Sequence, residues 1–356
     1  MFSRIPQKRL SLALWCLSML FLTGCSTMGY YYQSVHGHFS LMGDSRSFDD
    51  LLQDQTVDVG LKSKLQLVRE ARIYASSELG LPENDSYQSY AALNREAVVW
   101  SVVATPEFSV QPKQWCYPVV GCASYRGYFK KAEAERYGDD LRKQGMDVTV
   151  VPNPAYSTLG WFDDPLPSTV IHWPEPYLVG LIFHELAHQQ LYVSGDSAFN
   201  EAFAMTVEQV GVERWFSSRS DSKGLTKWRL RKQRREEFIA LLLQARERLQ
   251  NMFAASISES EKRTGKRVEF ARLKTEYLRL KQRWNGYAGF DRWFASDLNN
   301  ARLASVATYD RYVPAFLKLL HESGGDLNRF FQACKNLGEL SQEKRSAKLE
   351  SLLHQG

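Results

Sequence analysis

The chain has 356 residues, of which 44% are hydrophobic, 13% aromatic and 24% charged, as in ordinary folded globular proteins. It contains no internal repeat and no low-complexity segment, which argues against a disordered or repetitive chain. The formal net charge of +5 is small and spread along the sequence, so we expect no nucleic-acid partner.

The N-terminus has the features of a bacterial secretion signal. Basic residues open the chain, and the apolar stretch at 10–22 is too short for a good membrane span. The letters LTGC (22–25) then resemble a lipobox, in which cleavage before Cys25 leaves that cysteine carrying lipid; an uncleaved anchor helix is the alternative. Ser26, in place of Asp, favours outer-membrane sorting. We therefore predict that residues 1–24 are a lipoprotein signal peptide and that lipid anchors the mature chain to the outer membrane, facing the periplasm.

The first predicted elements follow a short connecting segment. Residues 25–56 are predicted to form a tether. Apolar residues recur at helical spacing over 57–79 and stop at Gly80, which predicts a helix. The β-branched run at 97–104 predicts a strand.

Two cysteines mark the next block. Residues 115–129, WCYPVVGCASYRGYF, predict two short strands joined at a cysteine loop. An oxidising periplasm permits a disulfide between Cys116 and Cys122, with two free thiols as the alternative. A helix is predicted over 130–144 and a strand over 147–151.

Two extended pieces are predicted at 156–161 and 168–173, directly before the most informative motif of the sequence. An exposed strand edge is a general way of holding an extended peptide, so these pieces are candidates for a substrate-binding edge. Ordinary core strands are the alternative interpretation.

The motif His184-Glu185-Leu186-Ala187-His188 reads H-E-x-x-H, in an apolar run that indicates a buried helix. At helical spacing His184 and His188 lie one turn apart on one face, so both imidazoles can bind one ion. Zn²⁺ favours nitrogen ligands, and its catalytic sites keep one position open for water. Glu185 can reach that water as general base. We predict one Zn²⁺ per chain; a core helix with two satisfied histidines is the alternative.

A third ligand is expected from a following helix: Gly195 indicates the end of the preceding one, and Asp196 or Ser197 is the next N-cap. Glu201 and Glu208 are the candidates, and they are two turns apart on one helix face. Glu201 is favoured, and Glu208 is then expected to hold a ligand histidine. A solvated helix face is the alternative for either glutamate.

The C-terminal half is predicted to be mainly helical, with a long helical pair at 224–254 and 258–284 and further helices over 314–354. Between them, Tyr309 or Tyr312 is a candidate donor to the oxyanion that forms when water attacks a carbonyl, with Tyr309 preferred. Asn299 and Asn300 are candidates for binding a substrate backbone. Helix capping and core packing are the alternative roles of these residues.

Taken together, the lipobox, the cysteine block, HELAHQ, FNEAFA and LNNARLASVATYDRYVPAF resemble a family of bacterial lipoproteins labelled predicted aminopeptidases, over essentially the whole mature chain. The resemblance implies a zincin, similar to those with a glutamate ligand, with zinc-dependent aminopeptidase activity carried by His184, Glu185, His188 and Glu201. Two features depart from well-studied zinc aminopeptidases. Their G-A-M-E-N block is absent, and the interval from His188 to Glu201 is shorter than theirs. Metallopeptidase is therefore better supported than aminopeptidase.

These patterns predict an α+β fold that is mostly helical, with the metal helix packed on a small mixed sheet. A metallopeptidase core is expected over 57–220, and a helical region over 221–356 should complete its cleft. The expected partners are a peptide substrate and, through the lipid, a membrane. Two alternative functions stay open: a catalytically silent binding lipoprotein, and a zinc amidase acting on cell-wall peptides.

Overall fold

The computed structural model describes residues 45–117, 121–155 and 157–354, together with 30, 33, 36, 37 and 40–43; of 307–310 it describes the backbone alone. The predicted signal peptide at 1–24 and the predicted lipidation site Cys25 lie outside these residues.

Helices make up most of the described chain, as predicted, and the strands are short. The strands are β1 (Ser45–Ser47), β2 (Ser89–Ala91), β3 (Val99–Pro106), β4 (Trp115–Tyr117), β5 (Gly121–Ala123), β6 (Arg126–Tyr128), β7 (Met146–Asn153) and β8 (Leu166–Pro167). The helices are α1 (Phe48–Gln53), α2 (Val59–Ser77), α3 (Lys131–Lys143), α4 (Glu175–Gln190), α5 (Ser197–Ser218), α6 (Ser222–Ala254), α7 (Glu259–Arg283), α8 (Asp291–Phe294), α9 (Asn300–Asp310), α10 (Val313–Glu322), α11 (Leu327–Gly338) and α12 (Gln342–His354). The fold is α+β, and among the described helices none is both long and apolar enough to cross a bilayer.

The strands form three small sheets rather than the one mixed sheet that the sequence suggested. Their orders are β1-β2-β8, which is mixed, and β6-β3-β7 and β4-β5, which are antiparallel. The extended pieces expected at 156–161 and 168–173 are also corrected. Residues 168–172 form turns, 157–160 contain no strand, and residue 156 lies outside the described chain.

The central strand β3 separates two environments. Trp100, Val102 and Ala104 point to one face, where they pack with Leu141 of α3 in a small hydrophobic cluster. Val99, Ser101 and Val103 alternate with them and point to the opposite face. That opposite face borders the cavity described below.

The main core surrounds α4, which is apolar on nearly all sides and is therefore a central helix. Its fully buried side chains are Leu178, Val179, Ile182, Phe183, Leu186 and Ala187. Helix α5 packs closely on α4 because each helix places a glycine against the other. A Cβ at Gly211 of α5 would lie 2.7 Å from the ring of Phe183 of α4. This close approach brings the histidines of α4 to the glutamates of α5.

The same core includes the first and the last of the helices named above. Phe48 and Leu51 of α1 are buried in it, so the predicted tether at 25–56 gives way to folded structure by its last part. Helices α10, α11 and α12 also pack there, through residues such as Phe316, Phe330 and Leu349. The long pair α6 and α7 forms a separate cluster with α8, which confirms the helices predicted at 224–254 and 258–284.

Helix α12 fixes the start of α5 through a buried ion pair. Arg345 Nε lies 2.8 Å from Asp196 Oδ2, and their side chains are only 5% and 8% exposed. Asp196 Oδ1 in turn accepts a hydrogen bond from the Phe199 N–H, which caps α5. Arg345 Nη1 donates to the carbonyl oxygens of Gly338 and Leu340.

We expect Arg345→Leu to lower the free energy of unfolding by about 3–5 kcal/mol, because it leaves the Asp196 carboxylate buried without its counter-charge. Urea denaturation at neutral pH measures this. Lys348→Leu, on an exposed position of the same helix, is the control and should change stability by less than about 0.5 kcal/mol. Equal effects of the two substitutions would contradict the assigned importance of the ion pair.

Candidate metal centre

The H-E-x-x-H motif lies in the second half of α4, on a regular helix that begins after Pro174. The rings of His184 and His188 are therefore on one face, with centroids 4.8 Å apart in an edge-to-face arrangement. Both side chains are largely shielded from solvent, at 16% and 7% exposed. This shielding limits competition from water for an ion between them.

A tight turn between α4 and α5 brings the start of α5 next to these two histidines. Asn200 holds this turn, since its Oδ1 accepts from the Val193 N–H at 2.7 Å and its Nδ2 donates to the Val193 carbonyl at 2.8 Å. With Asp196 as the cap, α5 starts at Ser197 and places Glu201 in its second turn. Glu208 follows two turns later, on the same side of the helix.

The two glutamates reach different nitrogens of the histidines. Glu201 Oε2 lies 3.4 Å from His184 Nε2 and 3.8 Å from His188 Nε2. Glu208 Oε2 lies 3.1 Å from the other ring nitrogen, His184 Nδ1. One ligand atom from each of His184, His188 and Glu201 therefore falls in a group whose members are all within 4.8 Å of one another.

These residues fit a metal ion of the zinc type. Two imidazoles and one carboxylate are a donor set typical of catalytic zinc, which keeps a further position open. In the tautomer that carries its proton on Nδ1, His184 donates to Glu208 Oε2 and leaves the lone pair of Nε2 for a metal ion. Glu208 is thus placed to orient a ligand, and Glu201 to be one.

The electrostatics also favour a cation. Burial alone would raise the pKa of Glu201, but His188 and His184 beside it hold that pKa well below its usual range. Burial raises the pKa of Glu185, against the opposing effect of the two histidines. Three carboxylates facing two imidazoles in a shielded site carry an excess of negative charge, which a divalent cation would neutralise.

The centre opens into a cavity of about 800 Å³. Its wall includes His184, Glu185, His188, Glu201 and Glu208 on the helix side. The opposite wall is the inner face of the β6-β3-β7 sheet. Glu185 therefore faces the space into which a substrate would enter, next to the group that can hold the metal.

Two tyrosines that line this cavity, Tyr125 and Tyr192, carry no sequence motif that marks them as site residues. Burial raises the pKa of Tyr125, and the carboxylates of Glu201 and Glu185 raise it further; burial and Glu201 do the same for Tyr192. Both hydroxyls therefore keep their proton and can donate a hydrogen bond. Tyr125 belongs to the cysteine block, and only folding brings it to the cavity that Glu185 and Glu201 line, which lie 60 and 76 positions later in the sequence.

A disulfide and a close backbone contact hold the segment before Tyr125. Cys116 is bonded to Cys122 across the β4-β5 hairpin. Gly121, with φ +77°, approaches the turn before α5 so closely that a Cβ there would lie 2.8 Å from the Gly195 nitrogen. The hairpin is thereby packed against the turn that positions Glu201.

Three other predicted site residues have different roles in the structure. Asn299 caps α9, accepting from the Arg302 N–H and donating to the Val148 carbonyl. Asn300 is fully buried and donates to the Glu107 carbonyl. Tyr312 is buried in the main core. None of the three is among the described residues that line the cavity. The observed contacts of Asn299 and Asn300 are structural, and their substrate-binding role stays a prediction; the side chain of Tyr309 lies outside the described part of the chain.

A family model described as "Putative aminopeptidase" covers residues 29–349. No curated protein matches the chain, and no solved structure does.

Proposed function

The chain belongs to the Aminopep family, described as "Putative aminopeptidase", and from that premise we propose that it is a zinc-dependent metallopeptidase. One observation carries the proposal: His184, His188 and Glu201 offer a compact set of metal ligands while Glu185 lines the adjoining cavity. A site that only held metal for stability would need no carboxylate beside its open position, which argues against a silent scaffold.

The geometry supports hydrolysis of an amide by water. A bound Zn²⁺ would polarise the scissile carbonyl and lower the pKa of the attacking water. Glu185 takes a proton from that water as its oxygen bonds to the carbonyl carbon. The same carboxyl then gives the proton to the leaving nitrogen as the carbon–nitrogen bond breaks. Glu208 keeps the ring of His184 oriented throughout.

The direct test measures peptide cleavage before and after metal removal. Protein stripped with a chelator should lose hydrolysis of a mixed peptide library, and added Zn²⁺ should restore it. Mass spectrometry of the products reads the result. Undiminished cleavage by the stripped protein would refute the zinc dependence, and the absence of any cleavage by the reloaded protein would refute the peptidase proposal.

Tyr125 is the candidate for stabilising the oxyanion, because it lines the same cavity as Glu185 and Glu201 and their carboxylates act on its hydroxyl. We expect Tyr125→Phe to lower kcat by about 100-fold while KM changes less than about threefold, since the hydrogen bond is made chiefly in the transition state. Tyr177→Phe, which removes a hydroxyl two turns before His184 on α4, is the matched control. Equal losses in the two variants would remove Tyr125 from this role, and a larger loss in Tyr192→Phe would transfer it.

The proposed location rests on the sequence of the N-terminus. We propose that Cys25 is lipidated and that the protein faces the periplasm from the outer membrane. Incorporation of a fatty-acid label, lost in Cys25→Ala, tests the anchor, and an unlabelled wild-type protein would refute it.

A further inference from the structure

The described wall of the cavity carries almost no charge beyond the candidate metal centre. The acidic side chains in it are Glu185, Glu201 and Glu208, and the described residues of the wall include no Asp, Lys or Arg. Two of these three glutamates already contact histidines. The rest of the wall that the described residues form is uncharged, and much of it is aliphatic or aromatic.

The apolar part is contributed by several elements that converge on the centre. The sheet supplies Val99, Val103 and Val151, and the segments around it supply Phe129, Leu159 and Trp173. A volume of about 800 Å³ lies within the range of sites that enclose an organic ligand. This space is suited to bulky apolar groups on either side of a scissile bond.

Charged ends of a peptide would be poorly accommodated here. An α-ammonium group moved from water into an apolar cavity loses hydration, and it needs a carboxylate partner to compensate. An exopeptidase that removes N-terminal residues must provide such a partner close to the metal. The same argument, with the sign reversed, disfavours anionic cell-wall peptides, because the described wall offers no cationic side chain.

We infer that the amide cleaved at this site is uncharged on both sides: it is an internal bond, or the first bond of an N-blocked peptide, flanked by apolar or aromatic side chains. This inference rests on the proposed peptidase function. It differs from the family description, which implies a free amino terminus. The hydroxyls of Tyr125 and Tyr192 remain available to bond the peptide groups of such a substrate.

One wall position allows the missing charge to be added. Leu159 lines the cavity in an irregular segment and has φ +58°, a left-handed conformation that Asp and Asn tolerate better than Leu. Leu159→Asp therefore introduces a carboxylate without new backbone strain. Leu159→Asn has nearly the same shape and conformational preference but no charge, and it serves as the matched control.

The test compares binding of two dipeptide amides, Phe-Phe-NH₂ and acetyl-Phe-Phe-NH₂, to the zinc-loaded protein carrying Glu185→Gln. The dipeptides are short enough to keep the terminus inside the cavity, and the variant is expected to bind without cleaving. We expect the acetylated ligand to bind at least tenfold more tightly in calorimetry. Added Leu159→Asp should strengthen binding of the free amine by about tenfold, and Leu159→Asn should leave it unchanged.

The outcomes separate this inference from the proposed function. Equal or tighter binding of the free amine to the Glu185→Gln protein overturns the inference, and so does failure of both ligands to bind at millimolar concentration. Tight binding of the acetylated dipeptide supports the inference even if the wild-type protein hydrolyses no peptide, a result that would refute the peptidase proposal alone. For an active wild type, internal cuts in a longer apolar peptide support the inference, and stepwise loss of N-terminal residues contradicts it.

Discussion

Glu185→Gln should abolish hydrolysis and leave the bound zinc in place. The substitution keeps the size of the side chain but removes the group that accepts the proton of water, and such a base typically contributes about 10²- to 10⁴-fold. His184, His188 and Glu201 are unchanged, so the metal should stay. We expect kcat to fall by about 10³-fold, measured on a fluorogenic apolar peptide, with a zinc content equal to that of the wild type.

A control variant separates the effect of removing a carboxylate in general from the effect of removing it at the candidate site. Glu236→Gln makes the same chemical change on the exposed surface of α6, where the side chain is 55% exposed, and it should leave kcat unaltered. Cleavage by Glu185→Gln at a rate within about twofold of the wild type would refute its role as general base. Loss of zinc from this variant would instead show that Glu185 belongs to the ligand set.

Glu201→Ala should remove most of the bound zinc, and Glu208→Ala should weaken it much less. Glu201 faces the Nε2 atoms of both histidines, so its loss deletes one of three protein ligands. Glu208 contacts the other nitrogen of His184, Nδ1, and loss of such an orienting partner typically costs about 10- to 100-fold in metal affinity. We expect the loss for Glu201→Ala to exceed about 100-fold.

Zinc affinity is best measured by competition with a chromogenic chelator. The two variants make identical substitutions on one helix, seven residues apart, so each is the control for the other. A larger loss in Glu208→Ala would exchange the two roles. Equal losses would show that both carboxylates bind the ion.

Local rules account for the elements that the sequence predicted correctly. The helix at 57–79, the strand at 97–104 and the long helical pair each depend on a periodic pattern confined to one segment. The strand predicted at 168–173 is wrong. Strand pairing in this part of the chain ends with Leu166 and Pro167, and residues 168–172 form turns. Turns can bury apolar side chains as well as a strand can, so the sequence of this segment alone does not distinguish turns from a strand.

The choice between Glu201 and Glu208 shows the limit of spacing arguments. Both lie on one face of α5, so periodicity treats them alike. The turn held by Asn200 and the close packing of α5 on α4 set which carboxylate meets which ring nitrogen. Asn299 and Asn300 illustrate the same limit, since their partners Val148 and Glu107 are more than 150 positions away.

By itself, the sequence determined that the imidazoles of His184 and His188 lie on one face of one helix, because residues one turn apart share a face whatever surrounds them. It also indicated a mostly helical α+β chain. Only the tertiary structure decided which glutamate joins the histidines, and only it placed Tyr125 and the uncharged face of the sheet in the same cavity. It also showed that Asn299, Asn300 and Tyr312 make structural contacts away from that cavity. The physical reason is that backbone geometry fixes neighbours within a helix, whereas contacts between distant segments depend on how the whole core packs.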